Sequence, residues 1–482
     1  MGFDFLDFGF PKSGTDWKSI NGKPFITVSA KGRSNGLSNK INDGADFGPD
    51  TTLNASSPNQ TGPPYTQTVG IQEALNYASN RVNTNAFPIV FAYGAFHISS
   101  NIYIPSWISL IGAPFNTWAN GPDTFEIDVP SIGAYTVYIG TSSSPVQGVL
   151  IANISFQNGN VYTNCGETLI KNCAFNRGQL LINNTSYASS ASAFYPFEVE
   201  NCTFNDSSVN PAGLVINTPN GIYKNLYFIQ SGAITSVEVN SGNIYFENIF
   251  TSGGTYGIVS NSGGNTFINC SVGSQSSAGM WLASGNGTAI RTYQGAGPGN
   301  STAPLYLIET SWNDIELGIG DLANAGTVFQ LGTASNPVGY STFRVFEQNA
   351  QTALVTVFDI VNANGPLYFE GTLANTNSNI TMFNGTLPLG SLINIKGYTP
   401  TITTPTMPTS GTAQQNSNAY PVNVYLYGGT VTEIQITKNG TAYTVFSNAS
   451  GLALSGQVYK LNPSDEITIT YTSAPTWEWL SD

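Results

Sequence analysis

The stretch "VENCTFN", residues 199–205, decides the fold, because nearly the same phrase returns five more times. It appears as "IANISFQ" at 151, "IKNCAFN" at 170, "YKNLYFI" at 223, "FENIFTS" at 246 and "FINCSVG" at 267. The shared asparagines are Asn153, Asn172, Asn201, Asn225, Asn248 and Asn269, separated by 19, 29, 24, 23 and 21 residues. Two positions before each asparagine stand Ile151, Ile170, Val199, Tyr223, Phe246 and Phe267. One position after stand Ile154, Cys173, Cys202, Leu226, Ile249 and Cys270, and three after stand Phe156, Phe175, Phe204, Phe228, Thr251 and Val272. A strand alternates its faces with period 2. Here the apolar spacing is 3 and then 2, so the extra residue at Asn must turn the chain through a corner. Asn tolerates the left-handed conformation that such corners need. A corner repeated every ~20–29 residues is the mark of a solenoid coil. The phrase therefore predicts a right-handed parallel β-helix with an internal, buried asparagine ladder.

The pattern continues more loosely through "LYLIETSW" at 305, "TVFQLGT" at 327, "STFRVFEQ" at 341, "TVFDIVN" at 356, "LYFEGTL" at 367 and "ITMFNGT" at 380. The expected solenoid, with its cap, occupies residues 66–400, and residues 1–65 form an arm and insertion suited to attachment. The segment "TITTPTMPTSGTAQQNSN", 401–418, is rich in Pro, Thr and Ser and reads as a linker. Beyond it, "PVNVYLY", "TEIQITKNGTAYTVF" and "DEITITYT" alternate as strands, with Asn439-Gly440 as a type I′ hairpin turn. Residues 419–482 are expected to form a small antiparallel β-sandwich. Trp477 and Trp479 share one of its faces, as core or as a glycan-stacking or docking surface. The fold class is thus all-β.

Composition agrees. Charged residues make up 9% of the 482, against about 25% in an average globular chain. The net charge is −13, and no Lys or Arg occurs between Arg81 and Lys171, which argues against nucleic acid as a partner. No apolar run reaches the ~18 residues of a membrane span. The opening "MGFDFLDFGFPKSG" lacks the basic and apolar regions of a signal peptide.

The entrance to the solenoid carries a resemblance. "NDGADFGPDTT" at 42–52 leads, across an insertion, to "TQTVGIQEALNYASN" at 66–80, where Ile71, Leu75 and Ala78 share one helical face. Strand-like runs broken by Gly94, Pro105 and Gly112 follow. This resembles the start of the pectate-lyase-3-like branch of the pectin-lyase superfamily, in which an Asp/Gly-rich opening and a "T-x-x-I-Q-x-A-L" helix cap a β-helix. That resemblance implies the fold, and the same cap serves polysaccharide-degrading enzymes and viral tailspikes. The terminal module resembles domains in structural proteins of viruses of hot-acid archaea.

The coils carry few residues suited to catalysis. The one histidine, His97, lacks the Gly-His-Gly setting of polygalacturonase-like hydrolases. Arg177 and Arg344 lie on coils, but no aspartate cluster accompanies either in the sequence. Asp314, Glu316 and Asp321 in "WNDIELGIGDL" are the best carboxylate group, able to cleave a glycosidic bond if suitably spaced. The four cysteines include no CxxC, so no zinc site is expected, and no cofactor or metal is. Cys173 and Cys202, in successive coils, could be free or bonded. Sequons abound in so Asn-rich a chain. Asn54, Asn59 and Asn439 are the glycosylation candidates by position.

Together these readings lead to the expectation of a virion surface protein, a spike or tail fibre. It would bind a host surface glycan or pilus, contact other virion proteins, and form a homo-oligomer, a trimer by analogy with tailspikes. The alternatives are a polysaccharide lyase or glycoside hydrolase on the same scaffold, and a host S-layer or adhesin component.

Overall fold

The computed structural model describes residues 26–29, 47–48, 67–80, 89–112, 125–183, 197–206, 212–294, 303–320, 326–347, 353–373 and 379–481. By contact the chain divides into two units, Met1–Gly285 with Asn300–Leu305, and Asn286–Gly299 with Tyr306–Asp482.

The first unit is a parallel β-helix. One sheet stacks Val146–Ala152, Cys165–Lys171, Phe197–Glu200, Gly221–Gln230, Tyr245–Gly253 and Thr266–Ile268, all parallel. Its register reproduces the repeat column by column. Ile151, Ile170, Val199, Tyr223, Phe246 and Phe267 are successive partners. So are Phe156, Phe175, Phe204, Phe228, Thr251 and Val272. Both columns are buried. The phenylalanines stack with centroids 5.1, 4.6 and 4.4 Å apart. A second parallel sheet repeats Val137, Val161, Leu180, Leu214, Val237, Ile258 and Met280 in register.

All six repeat asparagines are left-handed, with φ between 52° and 58°. Their amides link coils: Asn172 donates to Asn153 at 3.2 Å, Asn225 to Asn201 at 2.9 Å, Asn248 to Asn225 at 2.9 Å and Asn269 to Asn248 at 3.3 Å. The expected internal position is corrected. Asn201, Asn225, Asn248 and Asn269 are exposed, and Asn153 and Asn172 are half-buried. The reason is geometric. The apolar residues two before, one after and three after all face inward, so the corner residue between them points out. A second outer ladder, Asn261 to Asn240 at 2.8 Å and Asn240 to Asn217 at 3.0 Å, follows the strands of the second sheet.

The helix Ile71–Ser79 caps this unit with Ile71, Leu75 and Ala78 buried. Gly70 precedes it at φ 89°, where a Cβ would lie 2.6 Å from the Gly48 carbonyl oxygen, so the close backbone approach requires glycine. Apart from 26–29 and 47–48, the expected arm 1–65 lies outside the described residues, Asn54 and Asn59 included.

The second unit contains further parallel coils. Ile290, Ile315, Phe343, Phe369 and Ile393 form one buried column, and Phe329, Phe358 and Phe383 pair in another. Its C-terminal part is an antiparallel five-stranded sheet built on two long strands, Val422–Lys438 and Thr441–Leu461. Register shifts around Gly428–Glu433 interrupt the pairing of the two, and one half of Val422–Lys438 pairs with Glu466–Ser473 and the other with Thr476–Ser481. The two halves share one apolar core, including Val424, Ile434, Ile469 and both Trp477 and Trp479. Those tryptophans are therefore core residues. Asn439 and Gly440 turn the hairpin at φ 49° and 75°.

Residues 401–418 are not a free linker. The indole of Trp477 donates to the Pro405 carbonyl at 2.8 Å, Tyr471 donates its hydroxyl to the Pro408 carbonyl at 2.7 Å, and Ala413–Gln415 pairs with Glu466–Ser473 as the sheet's edge strand. Proline removes donors but leaves carbonyls that accept bonds, so a Pro-rich segment can be bound across a sheet.

Candidate functional site

In the second unit, the strand Asp314–Ile319 alternates so that Ile315, Leu317 and Ile319 point inward and Asp314, Glu316 and Gly318 outward. Register then sets charges side by side. Arg291 pairs with Glu316, Glu316 with Arg344, and Arg344 with Glu370, one residue per coil. The ordering follows from one local rule: in "AIRTY", "DIELG", "TFRVF" and "YFEGT" a charge follows the inward apolar residue.

The ions are closely knit. Asp314 accepts from Arg344 Nη1 at 2.5 Å and from Arg291 Nη2. Arg291 Nε lies 3.6 Å from Glu316, and Arg344 Nε donates to Glu370 at 3.1 Å. Arg291 Nη1 also donates to the Asp314 and Ile290 carbonyls at 2.7 and 2.8 Å. Partial burial pulls the Asp314 carboxyl upward, but hydrogen bonds from the two guanidiniums outweigh it and hold it below its ordinary value. Asp314 is thus held ionised and is ill-suited to donate a proton in a glycosidase reaction. Along the sequence no aspartate cluster accompanies Arg344; the fold supplies Asp314 from 30 residues away. Asp321 lies outside the described residues.

Aromatic side chains border this strip on both sides. Trp312 and Tyr340 each stand two residues before their strand, at φ 61° and 49°. Their rings stack at 4.7 Å and 9°, yet they remain 62% and 45% exposed. Bulky residues rarely take left-handed backbone, and exposing an indole gains nothing for folding. At the same coil position the unit otherwise uses Gly287, Pro366 and Gly390. On the other side, Tyr293 and Phe346 are exposed, and the Tyr293 ring lies across Gly318, where a Cβ would come within 2.6 Å of it. Nothing in the local sequence "TSWND" marks Trp312 as exposed. Its phase relative to the strand start is the one usable signal.

In the first unit, His97 Nδ1 lies 2.8 Å from Asp128 Oδ2 on an exposed face. Arg177 sits at a left-handed corner, φ 59°. Cys165, Cys173, Cys202 and Cys270 are free and buried, so Cys173 and Cys202 are not bonded. No group of His, Cys, Asp and Glu among the described residues could hold a metal. No helix of the described residues is long and apolar enough to cross a membrane.

No protein-family description matches the sequence, and no curated protein does. Solved structures similar to the chain include a mutant tailspike protein of E. coli bacteriophage HK620 in complex with a pentasaccharide. It is 13% identical with a TM-score of 0.45, covering 88% of this chain and 93% of that one. The HK620 tailspike with pentasaccharide also appears at 11% identity and TM-score 0.36, covering 83% and 89%. Full-length tailspike protein 2 of the E. coli O157:H7 bacteriophage CAB120 is 10% identical, TM-score 0.42, covering 89% of this chain and 62% of that one. The likeness concerns the parallel β-helical fold alone.

Proposed function

We propose that this chain is a β-helical surface spike or fibre of a virion that binds a cell-surface glycan on the outer face of the coils between Ala289 and Leu373. The observation that carries the reading is the exposed, mutually stacked pair Trp312 and Tyr340 beside the Arg291–Glu316–Arg344–Glu370 strip. Pyranose rings present an apolar C–H face and a hydroxyl rim. Aromatic platforms next to charged acceptors and donors offer both complements. Assembly into a trimer, other virion proteins as neighbours and a virus of hot-acid archaea as the source belong to the same proposal.

The test has two parts. Labelled full-length protein is incubated with purified host envelopes, with and without soluble envelope polysaccharide as competitor; saturable binding abolished by the polysaccharide is expected, and binding that polysaccharide leaves unchanged rules the glycan reading out. A mass-spectrometric inventory of purified particles should contain the chain. Its presence in host envelopes but not in particles would favour an S-layer or adhesin component instead. Light scattering should give a multiple of 51.1 kDa.

A further inference from the structure

We propose that the gap beside Trp312, over Gly287, is the primary subsite for one neutral or amino-sugar ring of that glycan; this rests on the glycan-binding reading above. The corner two residues before each strand is a column in the second unit, in which Gly287, Trp312, Tyr340 and Pro366 succeed one another by register. Backbone bonds confirm the steps: Gly287 N–H donates to Ser311, Trp312 to Gly339 and Tyr340 to Pro366, at 3.2, 3.2 and 2.8 Å.

One face of Trp312 is covered by Tyr340. Tyr340 in turn lies against Gly365, where a Cβ would come within 2.6 Å of its ring. The other face of Trp312 turns toward the coil of Gly287. There a Cβ would meet nothing within 4 Å, the residue is exposed, and φ is +77°. A stack of rings thus ends in open space at the Gly287 coil, and paired strands lie about 4.8 Å apart. A flat ring entering there continues the stack.

Charge selects the ligand. Arg291 and Arg344 face Asp314, Glu316 and Glu370, so two guanidiniums meet three carboxylates and one negative charge is left over. Both guanidiniums already hold carboxylates, so neither offers a free fork to a uronate or a phosphate. A neutral or amino sugar meets no such penalty, and the outer oxygens of Glu316 and Glu370 can accept from hydroxyl or ammonium groups.

The experiment uses full-length protein and three hexasaccharide probes: N-acetylglucosamine hexamer, its deacetylated cationic form, and oligogalacturonate. Calorimetry reads affinity, and ¹⁹F spectra of 5-fluorotryptophan protein, assigned through Trp312→Phe, read the site. The neutral or cationic probe is expected to bind and to shift the Trp312 resonance. Gly287→Asn keeps a left-handed corner, as Asn243 does at φ 59°, and fills the gap. It and Trp312→Ala should each weaken binding roughly tenfold or more, Trp312→Phe less, with unchanged melting curves. Binding that survives Gly287→Asn and Trp312→Ala overturns the subsite and leaves glycan binding intact. Preferential binding of oligogalacturonate overturns the ligand class. Failure of the three probes together with failure of envelope polysaccharide to compete overturns both readings; failure of the probes while envelope polysaccharide still shifts the Trp312 resonance overturns the ligand class only.

Discussion

Asn248 donates its side-chain amide to Oδ1 of Asn225 at 2.9 Å, one coil away, although 23 residues separate them in the chain. Both are exposed and both are left-handed, at φ 57° and 53°. The pair joins two roles: backbone tolerance within a coil and a bond between coils. Asn248→Ala loses both and should cost about 1–2 kcal/mol, mostly from the left-handed backbone. Asn248→Gly keeps the backbone and loses two bonds, the one to Asn225 and the one from Asn269, each worth about 0.5–1.5 kcal/mol and less at an exposed site. The expected stability order is Asn, Gly, Ala. Denaturant unfolding that ranks Ala above Gly would refute the corner role.

The interior should be far less forgiving. Phe204 stacks on Phe175 at 4.6 Å and on Phe228 at 4.4 Å, fully buried. Phe204→Ala removes a ring between two rings and should cost about 3–5 kcal/mol. Near-wild-type unfolding of this variant would mean that the column repacks rather than holds its shape.

The four thiols should be inert in the native protein. Burial pushes Cys165 and Cys270 up to about 12 and raises Cys202 as well. All four thiols are buried and the reagent must reach a thiol to react, so Ellman's reagent should titrate none before denaturation and four after it. Reductant should leave the melting temperature unchanged. A native, reagent-accessible thiol contradicts this.

Acid should separate two kinds of carboxyl. Burial raises Glu126, Glu167 and Glu198 above their ordinary 4.5. Such groups bind protons in the fold before the unfolded chain does, so they add stability as pH falls toward 4.5 from above. Asp314 is the opposite case. Its folded value lies below the ordinary 3.8, so its contribution is present above 3.8 and is lost only as pH drops through the lower, folded value. Melting near pH 4.5 should therefore be no lower than near pH 7, with weakening confined to the region below 3.8. A steep loss between pH 7 and 5 would reveal buried ionised groups elsewhere.

The strip itself should contribute modestly. Arg344→Ala removes one of the two cations that hold Asp314, leaving Arg291, and the cation that holds Glu370. All three side chains are a third or more exposed, so the cost should be about 1 kcal/mol or less. The difference from wild type should shrink in high salt, as surface ion pairs are screened. A salt-independent loss would mean that Arg344 acts by packing.

Much of the first unit was legible because six phrases keep three apolar columns in phase, and neighbouring coils bury the same columns. Ile170 meets Val199 because each faces inward at the same step of its coil. Side-chain direction at the corner was not legible: the same phrase suits an inward or an outward Asn, and only the packing of both flanks excludes it from the core. The segment 401–418 misled because its composition speaks of missing donors, whereas its fate depends on Trp477 and Tyr471 arriving from 72 and 63 residues later.

The sequence by itself determined the coil: its period, its inward columns, its left-handed corners, its capping helix and the antiparallel strands that end the chain. Those features follow from local backbone preference and from apolar residues recurring at a fixed phase, both of which are written along the chain. Tertiary structure alone decided which charges meet. Asp314 is two residues from Glu316 in sequence but is bonded to Arg291 and Arg344, one from each neighbouring coil. It also decided that Trp312 ends a stack beside an unfilled corner at Gly287. Register between coils depends on loops of unequal length, so those neighbours are set by closure of each turn and not by any nearby residue.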